Sequence, residues 1–120
     1  TNGQAKIILQ SLENVDKNIK MRRDNQELYD SILDSSYHMP KRDVPWVYDI
    51  KVKDNSIVDI LNKKGIAARY GFKPVSTCHP FRSNKNTEKS KIYSEHILYL
   101  PVTGKSWEIK NNINELVRLI

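Results

Sequence analysis

Apolar residues recur at helical spacing through the first 33 residues of the chain. From residue 4 onward they fall mostly at steps of three and four, and neither Pro nor Gly interrupts them. The positions are Ile8, Leu12, Val15, Ile19, Leu28, Tyr29, Ile32 and Leu33. The spacing predicts one long helix of roughly 45 Å, more than a domain of this size needs across its core. The polar stretch from Lys20 to Gln26 predicts a change of packing environment, so the helix is interpreted as a bridge.

The pattern changes to alternation after a loop that carries Pro40 and Pro45. Apolar and polar residues alternate from Trp46 to Val52, which predicts a half-buried strand. Asp54-Asn55-Ser56 then offers N-cap residues for a short helix that ends before Gly65.

The rest of the chain predicts two more strands and a last helix. Residues 66–70 are brief and β-prone, residues 71–86 form a long loop, residues 96–101 form an apolar strand, and a helix capped by Ser106 follows. The order predicts an α+β fold, with a sheet of about three strands covered by helices. We expect a helix over 1–34 and a small domain over 35–120.

Composition limits the class of protein. The chain has 120 residues, 38% of them hydrophobic and 28% charged, which is typical of one soluble domain. No apolar run approaches the roughly 18 residues of a membrane span, and we expect neither a membrane partner nor a signal peptide. Cys78 is the only cysteine, which excludes an internal disulfide and predicts a reducing, cytoplasmic location.

The net charge of +6 allows one alternative, a small basic module that binds RNA or another anionic partner. Its candidate cations are Arg22, Arg23, Lys41, Arg42 and those in residues 82–91. Lys and Arg are scattered among Asp and Glu along the chain, which is typical of a solvated surface, so nucleic acid is not the expected partner.

Few residues are spaced for chemistry. His38, His79 and His96 lack ligand-like spacing, so no metal site is predicted. Cys78 and His79 are neighbours in the chain, whereas a catalytic pair meets through the fold. There is no Gly-rich phosphate loop and no nucleophile elbow. The chain therefore looks catalytically incomplete, with no catalytic residue assigned.

Arg69 is the main candidate for ligand binding. It ends a short predicted strand and precedes the long loop, where a guanidinium can face a cleft; the alternative is an ordinary surface arginine. Trp46, Tyr48 and Tyr99 lie on predicted strands and are interpreted as core or sheet-face residues rather than ligand platforms.

Several segments, taken in order, resemble the C-terminal part of the PLP-dependent sugar aminotransferases of the DegT/DnrJ/StrS family, a branch of the fold-type I aminotransferases. The resemblance covers nearly the whole chain. Its motifs are TNGQA at 1–5, QSLE at 10–13, Arg22-Arg23, Tyr29, the strand at 46–52, KKGI at 63–66 leading to Arg69, GFKP at 71–74 and ILYLP at 97–101.

The resemblance implies the small domain of such an enzyme, with a mostly antiparallel sheet. The family moves an amino group from an amino acid, usually glutamate, to a keto-sugar on a nucleotide carrier. PLP forms a Schiff base with a Lys of the larger N-terminal domain, so this chain alone is expected to hold no cofactor and to be inactive. A homodimeric parent is implied.

The resemblance also implies a substrate-side role for Arg69 and the loop at 72–81. The candidate substrate-binding residues are Arg69, Phe72, Ser76 and His79. Two positions depart from the family pattern: Tyr70 stands where Pro is common, and Ser76 stands where His is common, with His79 displaced from that place. These departures leave open a diverged member, or a remnant that only assembles with other chains.

Overall fold

The computed structural model describes residues 1–82 and 87–120. Its helices are α1 (Asn2–Glu13), α2 (Val15–Ile32), α3 (Ile57–Lys63), α4 (Glu88–His96) and α5 (Ser106–Val117), and its strands are β1 (Tyr48–Lys51), β2 (Arg69–Tyr70) and β3 (Ile97–Leu100). Short 3-10 turns lie at Ser35–Tyr37 and Val75–Thr77. The residues at 83–86, predicted as part of the long loop, lie outside the described residues. The α+β prediction is confirmed.

The first 32 residues are helical as predicted, with a break that the spacing did not predict. α1 and α2 meet at Asn14, whose φ of −103° and ψ of 7° depart from helical values. The Asn14 side-chain amide donates to the Gln10 carbonyl at 2.9 Å, and such local bonds compete with regular helix. α1 buries none of its residues.

The polar stretch of α2 binds two loops of the domain. Asn25 and Gln26 are buried. Asn25 Nδ2 donates to the carbonyls of Val102 at 2.9 Å and Gly104 at 3.1 Å, and Gln26 Nε2 donates to the Arg42 carbonyl at 3.3 Å. The predicted change of environment is therefore a change from the exposed α1 to a hydrogen-bonded face.

The C-terminal half of α2 also belongs to the core. Tyr29 is fully buried and stacks on Tyr48, with ring centroids 4.3 Å apart. Its hydroxyl donates to the Pro101 carbonyl at 3.1 Å, while the Tyr48 hydroxyl donates to Asp30 at 2.8 Å. The division at residue 34 stays a prediction. Tyr29 and Leu33 precede it in the chain but pack in the core of the small domain.

Within the described residues, three strands form an antiparallel sheet, as predicted, and their order is β1-β3-β2. Helices cover one face of this sheet. The core between sheet and helices contains Tyr29, Leu33, Tyr48, Ile50, Val52, Val58, Leu61, Ile66, Ala68, Leu98, Leu100, Val102, Ile109, Ile113 and Leu116. We call the opposite face, which carries Arg69 and Tyr99, the open face.

Several predicted elements differ. β2 covers only Arg69–Tyr70 of the β-prone residues 66–70, and β3 covers Ile97–Leu100 rather than 96–101. β1 begins at Tyr48 rather than Trp46, because Arg22 and Arg23 bind the carbonyls of Pro45 and Asp43 and hold the preceding turn. Helix α4 was not predicted: it buries none of its residues, so it has no apolar stripe. Ser106 is the first residue of α5 rather than its cap. None of the described helices is long and apolar enough to cross a membrane.

Candidate functional site

The register of the sheet places Arg69, Tyr99 and Asp49 in one row on its open face. Tyr99 of β3 pairs with Asp49 of β1 and with Arg69 of β2. Because neighbouring residues along a strand point to opposite faces, and Leu98 and Leu100 are fully buried in the core, Tyr99 and its two partners face away from the core. Arg69 is the first residue of the two-residue strand β2, whereas the sequence placed it near the end of a strand over residues 66–70.

Three aromatic rings meet beside this row, and we name Trp46, Phe72 and Tyr99 the aromatic cluster. The Trp46 centroid lies 6.0 Å from that of Phe72 and 6.0 Å from that of Tyr99, and the Phe72 and Tyr99 centroids are 5.4 Å apart. Phe72 was predicted as a site residue. Trp46 and Tyr99 were interpreted as core or sheet-face residues, and no pattern along the chain brings them together, because Trp46 precedes β1 and meets Tyr99 only through the fold.

The two charged neighbours of Tyr99 differ in their environment. Arg42 donates to the Asp49 carboxylate at 2.5 Å. Burial raises the pKa of the Asp49 carboxyl above its usual range, and the Arg42 guanidinium offsets part of this rise. Arg69 is exposed, and within residues 1–82 and 87–120 no hydrogen bond or ion pair engages its guanidinium.

Ser76 and His79 lie on the loop that follows β2. The Ser76 hydroxyl is 2.9 Å from the Thr87 hydroxyl, a bond that connects this loop to the residue before α4. His79 is exposed. Among the described residues no hydrogen bond joins either side chain to Arg69 or Phe72. The structure thus brings Arg69 and Phe72 together with Tyr99 and leaves Ser76 and His79 on the loop.

Four of the cations of the nucleic-acid alternative have partners within the domain, whereas Arg82, Lys89 and Lys91 are exposed. Arg22 and Arg23 donate to backbone carbonyls, Lys41 pairs with Glu27, and Arg42 pairs with Asp49. These contacts stabilise the turn before β1 rather than leaving a row of free charges for phosphates.

The environment of the described lysines bears on whether one of them could form a Schiff base with PLP. Every Lys among residues 1–82 and 87–120 is exposed, whereas a Schiff-base Lys depends on a desolvated environment. These residues therefore do not fit an anchor for the cofactor. The described part of the chain also contains no group of three or more His, Cys, Asp or Glu placed to hold a metal ion.

Solved structures share this fold. PseC from Helicobacter pylori, described as an aminotransferase involved in the biosynthesis of pseudoaminic acid, matches with a TM-score of 0.75 at 17% identity over 92% of this chain and 34% of its own. The aminotransferase TlmJ from Streptoalloteichus hindustanus matches with a TM-score of 0.73 at 16% identity over 88% of this chain and 32% of its own. Spr1654 from Streptococcus pneumoniae, solved in a PMP form, matches with a TM-score of 0.65 at 19% identity over 92% of this chain and 35% of its own.

The chain spans about a third of the length of these structures. No curated protein sequence matches it. A family model matches residues 1–109, which include every helix and strand up to the start of α5. With its fold and its ordered motifs, this match shows that the chain belongs to the DegT/DnrJ/EryC1/StrS aminotransferase family.

Proposed function

We propose that the chain is the C-terminal part of a PLP-dependent aminotransferase that acts on a nucleotide-linked keto-sugar with a glutamate-type amino donor. The match of residues 1–109 to the aminotransferase family carries this proposal. The description of PseC as an enzyme of pseudoaminic acid biosynthesis supports a sugar substrate. The proposed setting is cytoplasmic amino-sugar and polysaccharide biosynthesis.

The missing part of the parent holds the cofactor under this proposal. When bound, PLP would supply the electron sink for amino-group transfer. This chain supplies the substrate side: Arg69 binds an anionic or hydroxyl-rich group, Phe72 packs beside it, and Ser76 and His79 line the loop. The chain alone is inactive because its exposed lysines provide no anchor, and the parent acts as a homodimer.

The test is Arg69→Lys in the full-length parent. A guanidinium offers a planar fork that an ammonium group does not reproduce, and loss of one charged hydrogen bond costs roughly 1.5 to 3 kcal/mol, or about ten- to a hundredfold in binding. We expect the Michaelis constant for the nucleotide sugar to rise by that factor, with the melting temperature nearly unchanged. Formation of 2-oxoglutarate from glutamate gives the rate.

Arg118→Lys is the matched control, because Arg118 is an exposed arginine directly after α5, remote in sequence from the candidate residues. We expect its kinetics to match those of the unmodified enzyme. If Arg69→Lys instead lowers the melting temperature by several degrees with unchanged kinetics, Arg69 is a structural residue and its substrate role is wrong. A parent that transfers no amino group to any nucleotide-linked keto-sugar contradicts the proposed function itself.

A further inference from the structure

The strand that carries Arg69 has little packing of its own. β2 contains only Arg69 and Tyr70, both exposed, and in the described part of the chain it pairs with β3 alone. Burial of apolar side chains is what usually fixes the position of a strand in a sheet. The position of Arg69 therefore depends on the backbone contacts that β2 and its neighbours make.

Gly71 directly follows β2 and lies against the junction where α4 passes into β3. Its N–H donates to the Ile97 carbonyl at 3.0 Å, which extends the pairing of β2 with β3 by one residue. A Cβ at position 71 would lie 3.0 Å from the Ile97 carbonyl oxygen and 3.3 Å from the Ser94 carbonyl oxygen. Even weak C–H···O contacts keep carbon and oxygen about 3.3 to 3.6 Å apart. The chain therefore approaches this junction so closely because residue 71 has no side chain.

The two carbonyls beside Gly71 have a second donor that holds them in place. Asn55 Nδ2 donates to the Ser94 carbonyl at 2.8 Å and to the Ile97 carbonyl at 3.4 Å. Turning either carbonyl away from residue 71 would weaken these hydrogen bonds, whereas β2 is short and exposed. A side chain at position 71 would therefore displace β2 rather than the junction.

A displacement at Gly71 would reach two candidate residues directly. Phe72 is the next residue in the chain, and its ring centroid lies 5.4 Å from that of Tyr99. Arg69 is two residues earlier and is the register partner of Tyr99. The contact at Gly71 therefore sets the positions of both Arg69 and Phe72 relative to β3.

We propose that Gly71 is a positioning residue for substrate binding: its lack of a side chain lets β2 close on the junction of α4 and β3, which fixes Arg69 and Phe72 beside Tyr99. This inference rests on the proposed function and adds a residue that does not itself touch the substrate. In a purely structural role, replacement of Gly71 would change stability and leave substrate binding unchanged.

The first test is Gly71→Ala in the 120-residue chain, followed by NMR. Gly71 does not have a positive φ, so alanine adds a Cβ without straining the backbone conformation. We expect the nuclear Overhauser effects between the Phe72 and Tyr99 rings to weaken, with the dispersion of the spectrum retained. Gly3→Ala is the matched control, because a Cβ there meets nothing within 4 Å, and it should leave these signals unchanged. A Gly71→Ala chain that keeps the ring contact, or one that does not fold, would overturn the proposal.

The second test measures the Michaelis constant and kcat separately in the full-length parent. Gly71→Ala should raise the Michaelis constant for the nucleotide sugar by about three- to a hundredfold, the upper figure being the effect of a misplacement of about 1 Å. The kcat should stay nearly unchanged, as for the loss of an interaction made equally in the ground state and the transition state.

Asn55→Ala separates positioning from stability. It removes a donor from the same two carbonyls and places no atom beside β2, so it should lower the melting temperature and leave the Michaelis constant unchanged. Equal rises of the Michaelis constant in the Asn55→Ala and Gly71→Ala parents would overturn the proposal.

Failure of this proposal is distinct from failure of the proposed function. Loss of the ring contact in Gly71→Ala, combined with a parent that transfers no amino group, would contradict the proposed function and support the placement of Phe72 by Gly71. Amino-group transfer by a Gly71→Ala parent whose Michaelis constant is unchanged would contradict this proposal and leave the function.

Discussion

Asn25 is a polar side chain in the core, and its hydrogen bonds connect α2 to the segment that follows β3. It is 2% exposed, and its amide donates to the carbonyls of Val102 and Gly104. Buried carbonyls that lose their donors retain the full cost of leaving water. This one side chain therefore contributes more to the fold than its polarity suggests.

We expect Asn25→Ala to lower the free energy of unfolding by roughly 1 to 3 kcal/mol, because the Val102 and Gly104 carbonyls are left without this donor. Urea unfolding followed by circular dichroism measures the loss as a lower midpoint. Asn18→Ala is the control, since Asn18 is an exposed Asn of the same helix. An unchanged midpoint for Asn25→Ala would mean that water replaces the amide.

At the scale of single residues, the sequence predicts part of the candidate site but not its aromatic contacts. Arg69 and Phe72 are adjacent to a short β-prone segment, so their place at a sheet edge follows from local pattern. The contact of Phe72 with Trp46 and Tyr99 does not follow from local pattern. It depends on the pairing of β2 and β3, which are separated by more than twenty residues that include α4. Register between distant strands is set by packing, which a single sequence does not display.

At the scale of elements, α1 differs from every helix that builds the core. Its apolar residues Ile7, Ile8, Leu9 and Leu12 are each more than half exposed, and the helix has 12 residues. A helix of this length without tertiary packing is marginal in water. The break at Asn14 separates it from the packed half of α2, so its opening need not open the domain.

We expect weak hydrogen-exchange protection from Gln4 to Ile19 in the monomeric chain, and strong protection for the α5 amides of Ile109 and Ile113, whose side chains are fully buried. Exchange followed by NMR compares the two segments in one sample, so α5 is the internal control. Strong protection of α1 in a demonstrated monomer would contradict the bridge interpretation. Protection that appears only in a dimer would mean that a partner chain covers α1.

Whether the sequence predicted a helix depends on whether that helix buries an apolar stripe. α5 buries Ile109, Ile113 and Leu116, and this regular stripe is what hydrophobic periodicity detects. α4 instead joins the domain through polar contacts, such as the donation from Asn55 Nδ2 to the Ser94 carbonyl at 2.8 Å. A helix that is attached through hydrogen bonds to its backbone carbonyls shows no apolar pattern in the sequence.

At the scale of the whole molecule, two paired carboxyl groups, those of Glu115 and Asp49, contribute to stability with opposite signs at neutral pH. Lys64, directly after α3, and Arg118, directly after α5, both bind the Glu115 carboxylate, and the Lys64 contact connects α3 to α5. The hydrogen bond from Lys64 and the two positive charges hold the pKa of Glu115 below its usual range. Burial instead raises the pKa of Asp49, and its pairing with Arg42 only partly opposes this. A lowered carboxyl pKa adds stability above the unfolded pKa, and a raised one removes stability as pH rises.

The two neutral variants should therefore differ at pH 7. Glu115→Gln should lower the free energy of unfolding at pH 7, because it removes a favourably ionised group, and the difference from the unmodified chain should diminish toward about pH 3 and vanish below the lowered pKa of Glu115. Asp49→Asn should leave stability unchanged or higher at pH 7, because ionisation of Asp49 is disfavoured in the folded state. Its difference should likewise vanish in acid.

Urea unfolding of the three chains at both pH values tests these signs, with Glu13→Gln as the control, since Glu13 is exposed and has no ion pair in the described part of the chain. A marked loss for Asp49→Asn at pH 7 would show that the pair with Arg42 outweighs the burial of the carboxylate. The open face of the sheet would then be stabilised by its charges. The expected result would mean that the Arg42 pair only offsets the cost of burying the Asp49 carboxylate, so that this pair adds no net stability to the open face.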